Sequence, residues 1–249
     1  MRLVIPACLL ALALSGAAFG QQKPWTEWTK KDVDKTLSDS AWAQTQTEGG
    51  GGGGQSQSSS SSAVTSTMAG RRDDRNTDVA ERTAESGQTK AASSIKFHVR
   101  FLSAKPVRAA FARRVLLAQA EENENLKQQL QGFIDRDFAE YIVVSVGVEV
   151  TDAKQGDMLT KAFSVATADA LKEAVYLERK DGKKLFLIDY RAPAGDGMGA
   201  KFIFKRVIDG QPFLTANDNV RFVAQFNEKM KLSTRYKLSD MMYDGKLEY

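Results

Sequence analysis

The chain has 249 residues, 35 basic and 31 acidic side chains, one histidine and one cysteine, for a formal net charge of +4. The net charge is weak and its two signs are interspersed, which does not suggest nucleic-acid binding, since that requires a basic stripe or patch. One histidine and a cysteine at position 8 are too few for a zinc site, a thiolate-bound metal or a disulfide framework, and no cofactor is implied.

Met1 and Arg2 form a minimal basic start, followed by an apolar stretch from Leu3 to Leu14 and small residues from Ser15 to Ala18. Ala18-Phe19-Gly20 fits the small-x-small rule of signal peptidase. The expectation is a signal peptide at 1–20, cleavage before Gln21, and a secreted or periplasmic product. An uncleaved anchor is disfavoured because the stretch is short, alanine-rich and interrupted by Pro6, whereas hydrocarbon is about 30 Å thick. Lipid attachment at Cys8 would leave an apolar region of only about six residues, shorter than a signal needs. Cleavage removes Cys8 and Arg2, so the mature chain would carry +3 and no cysteine. No later segment is long and apolar enough to cross a membrane as a helix.

Residues 21–47 hold all three tryptophans, Trp25, Trp28 and Trp42. Thr29 and Asp32 have the spacing of a capping box, and Val33, Leu37 and Ala41 form an apolar stripe. A helix of two to three turns is predicted near 30–39. Alone it would be marginal in water, so it needs a surface to dock on. Trp25, Trp28, Val33, Leu37 and Trp42 are therefore the candidate binding residues. They would dock either on an envelope protein partner or on the chain's own domain.

Residues 48–94 form a candidate linker. Gly49 to Gly54 is a run of six glycines, Ser58 to Ser62 follows, and a polyampholyte stretch begins at Arg71. Such composition buries too little apolar surface to offset chain entropy, which predicts disorder. A flexible coil of about 45 residues would span roughly 35–40 Å root-mean-square.

From residue 95 the pattern changes. Ile95, Phe97, Val99 and Phe101 alternate with Lys96, His98 and Arg100, predicting a half-buried strand whose polar face is solvated. Pro106 suits the first turn of a helix that continues at apolar spacing towards Arg136, with Gly132 and the polar run 121–125 as candidate breaks. Tyr141 to Val150 reads as a buried strand. Asp157 is a candidate cap for a helix carrying Leu159, Phe163 and Ala166. Beyond 172 the signal is antiparallel β, punctuated by Asp181-Gly182, Asp209-Gly210 and Asp244-Gly245, which suit type I′ hairpins. The expected domain, 95–249, is α+β. It is an antiparallel β-sandwich-like fold of seven to eight strands with two to three packed helices; an open antiparallel sheet with helices on one face is the alternative.

Several stretches carry a resemblance: Lys23-Pro24-Trp25-Thr26-Glu27-Trp28, Asp39-Ser40-Ala41-Trp42-Ala43, the junction from Phe101 to Arg108, and the ending from Asp240 to Leu247. The chain resembles uncharacterised secreted proteins of soil bacteria, chiefly acidobacteria. The resemblance implies an envelope or extracellular setting and brings no catalytic residues with it.

Four constellations could carry chemistry, and each has a plainer reading. His98 lies between two cations on its strand and reads as a solvated residue. Asp135, Asp137 and Glu140 could supply the paired carboxylates of a glycosidase, but they sit at an element boundary where solvated charge is normal. Gly195-Asp196-Gly197-Met198-Gly199 lacks the lysine and hydroxyl of a phosphate cradle and reads as a hairpin loop. Asn217-Asp218-Asn219 reads as a turn rather than a calcium loop. The sequence thus points to a non-catalytic secreted or periplasmic binding or scaffold module with a tethered tryptophan-rich helix. A cell-envelope hydrolase using carboxylates and a carrier of an apolar small ligand are the alternatives.

Overall fold

The computed structural model describes residues 23–49, 94–121, 123–227 and 230–249. The expected signal peptide and nearly all of the expected linker lie outside the described residues.

Thr29 opens the first helix. Its hydroxyl accepts the Asp32 N–H while the Asp32 carboxylate accepts the Thr29 N–H, the reciprocal capping box. Helix α1, Lys30–Ser38, then buries Val33 and Leu37. No strand is predicted after it, because Ala-Gln-Thr-Gln-Thr-Glu has no apolar alternation. The structure nevertheless forms β1 at Ala43–Glu48, paired antiparallel along its whole length with β2, Ile95–Phe101. The hydrogen-bonding edge of β2 supplies what local pattern lacks. The fold therefore includes residues on both sides of the expected linker.

Helix α2, Lys105–Leu117, has Pro106 in its first turn. Ala104 gives it no side-chain cap, and the Glu248 carboxylate instead accepts the Lys105 N–H at 3.1 Å. Asn123 caps α3, Glu124–Ile134, which runs through the exposed Gly132 without a break. Strand β3 is Tyr141–Val150. Helix α4 is Ala153–Val165, and its cap is Asp152, which accepts from the N–H groups of Lys154 and Gln155; Asp157 lies inside the helix. A short α5, Ala168–Leu171, follows. The remaining strands are β4 (Val175–Arg179), β5 (Lys184–Phe186), β6 (Asp189–Arg191), β7 (Ala200–Lys205), β8 (Val207–Ile208), β9 (Gln211–Pro212), β10 (Asn219–Gln225), β11 (Lys231–Lys237), β12 (Met242–Tyr243) and β13 (Lys246–Leu247).

Two of the three Asp-Gly pairs adopt the expected turn. Asp209 and Gly210 have φ of 51° and 74°, and Asp244 and Gly245 have 49° and 73°. At the first pair only Gly182 is left-handed, at 81°. Its N–H donates to Arg179 O and the Arg179 N–H to Lys183 O, which makes a three-residue loop instead.

Two antiparallel sheets form the body, with orders β1-β2-β3-β7-β6 and β11-β10-β4-β5. They join at both edges. On one side the chain leaves the second sheet after Phe186 and enters the first at Asp189, with Leu187 N–H bonded to Val175 O and Ile188 N–H to Ile203 O. On the other, the Gln46 side chain of β1 donates to Lys231 O at 2.9 Å and accepts from Ser233 N at 2.8 Å. The sandwich is thereby close to a closed ring of eight strand positions. Among the described residues there are thirteen strands and five α-helices, more than the seven to eight and two to three expected. The surplus strands are two-residue hairpins and the division of one strand into β5 and β6.

The interior holds Phe97, Phe101, Phe202, Phe204, Phe222 and Leu232, all fully buried. Phe202 stacks edge-on against Phe222, and Phe101 against Tyr236. Each such ring is worth about 1.5–3 kcal/mol of burial. On the opposite face of β2, α1 and α2 form a helical layer that reaches Arg100. This layer positions the site.

Candidate functional site

Strand alternation sends Lys96, His98 and Arg100 away from the barrel interior. The sequence reading leaves that face in solvent; the structure covers most of it. Arg100 is only 6% exposed, roofed by α1 and α2. Its Nε donates to Leu37 O at 2.5 Å, and its guanidinium carbon lies 5.5 Å from the centre of the Phe111 ring. Gly147, opposite His98 on β3, makes room: a Cβ there would come within 2.8 Å of Arg100 Nη1. Among the described residues Arg100 has no ion pair, and its two Nη groups donate no hydrogen bond.

Arg114 lies one turn beyond Phe111 on α2. Its guanidinium carbon is 4.7 Å from the same ring centre, and its Nη2 donates to Gly197 O at 2.9 Å. It too has no ion pair among the described residues. Burial, and secondarily the charge of Arg114, brings the Arg100 pKa down to about 10. Burial also lowers that of Arg114, against a more distant pull from Asp34.

The loop joining β6 to β7 faces the two arginines. Gly195, Gly197 and Gly199 all have positive φ. Gly199 is required by contact as well, since a Cβ there would lie 2.1 Å from Val146 O. Together these elements line a cleft of about 460 Å³ that also touches His98, Glu149, Thr160, Phe163 and Pro193. The 195–199 segment is a hairpin loop, as its composition suggests, but it forms one wall of the cleft.

His98 stands at the rim. Its Nδ1 is 3.0 Å from Thr45 Oγ1 and its Nε2 is 3.2 Å from Glu149 Oε2. Glu149 comes from the neighbouring strand, a partner that local spacing could not supply. Lys96 binds the other oxygen of the same carboxylate at 2.8 Å. Burial lowers the His98 pKa, with Arg100 adding to the effect and Glu149 opposing it.

A second cleft, about 390 Å³, lies at the other end of the helical layer, among Lys105, Arg108, Asp135, Asp137, Arg206 and Glu248. Its cations are already satisfied. Arg108 donates to the carbonyls of Leu102, Ser103, Ile134 and Arg136 and covers Phe138. Arg206 donates to Phe138 O and Tyr249 O. Asp135 pairs with Lys105 at 3.0 Å, and its hydrogen bonds to Gln131 and Lys105 hold its carboxyl below the usual range. Asp135, Asp137 and Glu140 are all exposed. Asp218 is likewise committed, accepting from Thr215 N and Oγ1 in a turn.

The five candidate binding residues from the sequence rest on the chain's own domain. Val33 and Leu37 are buried in the core, at 1% and 3% exposure. Trp25 packs on Ala109, Ala112 and Ile134 and donates to Gln131 Oε1 at 2.8 Å. Trp28 packs beside it and donates to Lys23 O. Trp42 donates to Glu248 O at 2.8 Å and stacks edge-on with Tyr243. All three indole N–H groups thus have partners within the chain. Arg100 and Arg114 were not among the sequence candidates. The available signal was a long cation inside an alternating strand, facing a helix with a second arginine three residues after a phenylalanine.

Comparison of the chain with protein-family models and with curated proteins finds no match. A crystal structure of a protein of unknown function from Burkholderia pseudomallei aligns with 56% of this chain and 72% of its own, at 11% identity and a TM-score of 0.39. No described helix is long and apolar enough to cross a membrane.

Proposed function

We propose that this chain is a non-catalytic binding module that works outside the cytoplasm, in the periplasm or beyond, and seats its ligand in the cleft beside Arg100 and Arg114. One observation carries the reading: a buried arginine lines an open cleft with both terminal nitrogens unpartnered among the described residues. Keeping a largely buried guanidinium without a counter-ion is unfavourable, so a position of this kind that opens only onto a cleft is better explained by a ligand than by folding. The apolar start at 1–20 and the resemblance to secreted bacterial proteins support the extracytoplasmic setting. The self-docked tryptophan segment supports a rigid module rather than a free docking arm.

The hydrolase alternative needs a buried carboxyl with a raised pKa, and the exposed Asp135, with its lowered pKa, does not supply one. The apolar-carrier alternative needs an internal cavity, whereas aromatic rings occupy the barrel interior. The test is ligand retention. Immobilised wild-type protein is incubated with the small-molecule fraction of a bacterial envelope extract, and the eluate is read by mass spectrometry. The expected result is a compound retained by wild type and lost with Thr160→Trp, whose ring would fill the cleft mouth. Retention by neither protein, or equally by both, overturns the reading.

A further inference from the structure

Resting on that reading, we infer that the Arg100–Arg114 cleft takes a doubly charged oxyanion group of a small ligand, such as a phosphate-type group or a dicarboxylate. Two guanidinium groups press against one phenyl ring and line the same cleft. The one carboxylate lining that cleft, Glu149, is already bound by Lys96 and His98. Asp196, in the facing loop, is bound by Lys201 at 2.7 Å. Among the described residues no acid pairs directly with either arginine, and Asp34 acts on Arg114 only at a distance. The contrast with Arg108 is instructive, since it is similarly buried but spends its donors on four backbone carbonyls.

The guanidinium fork matches planar and tetrahedral oxyanions alike, in bidentate fashion. Gly147 and Gly197 leave room for the two guanidinium groups. A side chain at either position would crowd the arginine nitrogens, at 2.8 Å and 3.0 Å respectively. The backbone is therefore pared away around the two cations, and the wall opposite them is a glycine loop through which a ligand can approach closely.

The test measures melting temperature and titration calorimetry at constant ionic strength, with sodium chloride as the baseline and phosphate, sulfate or succinate as probes. A rise with phosphate and sulfate alone assigns a tetrahedral group; a rise with succinate alone assigns a dicarboxylate. Either supports the inference, provided Arg114→Gln weakens binding by about tenfold or more, as loss of a charge-assisted bidentate contact would. No rise with any probe, or equal affinity in the variant, overturns it.

A measurement on the unaltered protein stands in if the variant fails to fold. The bound probe should slow phenylglyoxal modification of Arg114 at least severalfold while leaving Arg191, whose side chain is 70% exposed, unaffected. Equal rates at Arg114 with and without probe overturn the inference. A cleft-dependent ligand from the extract that no oxyanion displaces would sink the oxyanion assignment and leave the binding module standing. Oxyanion binding without any retained extract compound would do the reverse.

Discussion

Gln46 of β1 and Ser233 of β11 are joined by a side-chain amide where a strand pair would ordinarily sit. Gln46 Oε1 accepts the Ser233 N–H at 2.8 Å, and its Nε2 donates to Lys231 O at 2.9 Å. One side chain thus imitates a rung of a β-ladder and seals the seam between the sheets. Gln46→Leu removes both seam bonds, and a third from Nε2 to Glu48 Oε1 at 2.9 Å, at a solvent-accessible place. The expected loss is about 1–2 kcal/mol in urea unfolding, with the denaturant slope unchanged. A loss of zero would mean that the seam is closed by shape alone.

The two buried arginines should answer mutation differently. Arg108→Met strips donors from four carbonyls near the start of α2 and the end of α3, and should cost about 3 kcal/mol. Arg100→Met abandons one bond, to Leu37 O, and relieves a buried charge repelled by Arg114. Its cost should be about 1 kcal/mol or less. Equal costs would indicate that Arg100 is held for the fold and not for a ligand.

Trp42→Phe tests whether the N-terminal segment is integral. It keeps a ring beside Tyr243 but deletes the indole bond to Glu248 O. The expected loss is about 1–2 kcal/mol of global stability, measured by calorimetry as one cooperative transition. A separate low-temperature transition would mean that the segment melts on its own.

Much of this was readable beforehand because the signal was local. The Thr29–Asp32 box, the strand run of β3, the left-handed Asp209-Gly210 and Asp244-Gly245 turns, and the alternation of Ile95, Phe97, Val99 and Phe101 each depend on near neighbours. The α+β class followed from them. What escaped was tertiary. Polar β1 becomes a strand only because β2 offers an edge. Arg100 is buried only because α1 and α2 arrive from distant sequence. Asp152 outcompetes Asp157 as a cap because the helix starts earlier than its apolar stripe suggests. The cleft inherits this difficulty, since its walls come from β2, β3, α2, α4 and the 195–199 loop.

Acidity should report on the rim of the cleft. The His98 pKa lies below the ordinary imidazole value of 6.5, chiefly through burial, so the unfolded chain binds its proton more readily than the folded one. Its contribution is therefore complete above about pH 6.5 and declines as the pH falls towards the folded pKa. Glu149 is shifted down from 4.5 and acts only in more acidic solution. Unfolding free energies measured between pH 5 and 7 should thus slope upward with pH, and His98→Gln should flatten that slope. An unchanged slope in the variant would assign it to other groups.

Glu48 and Ile95 face one another in the β1–β2 ladder. The excursion from residue 49 to 94 therefore departs and returns at points one strand spacing apart, about 5 Å. Closing such a loop costs only about 0.6 kcal/mol more each time its length doubles. Because both ends are held by the same ladder, a change in the length of the tract should leave the β1–β2 register as it is. A fluorophore or a second protein inserted there should leave the pairing of Glu48 with Ile95 intact.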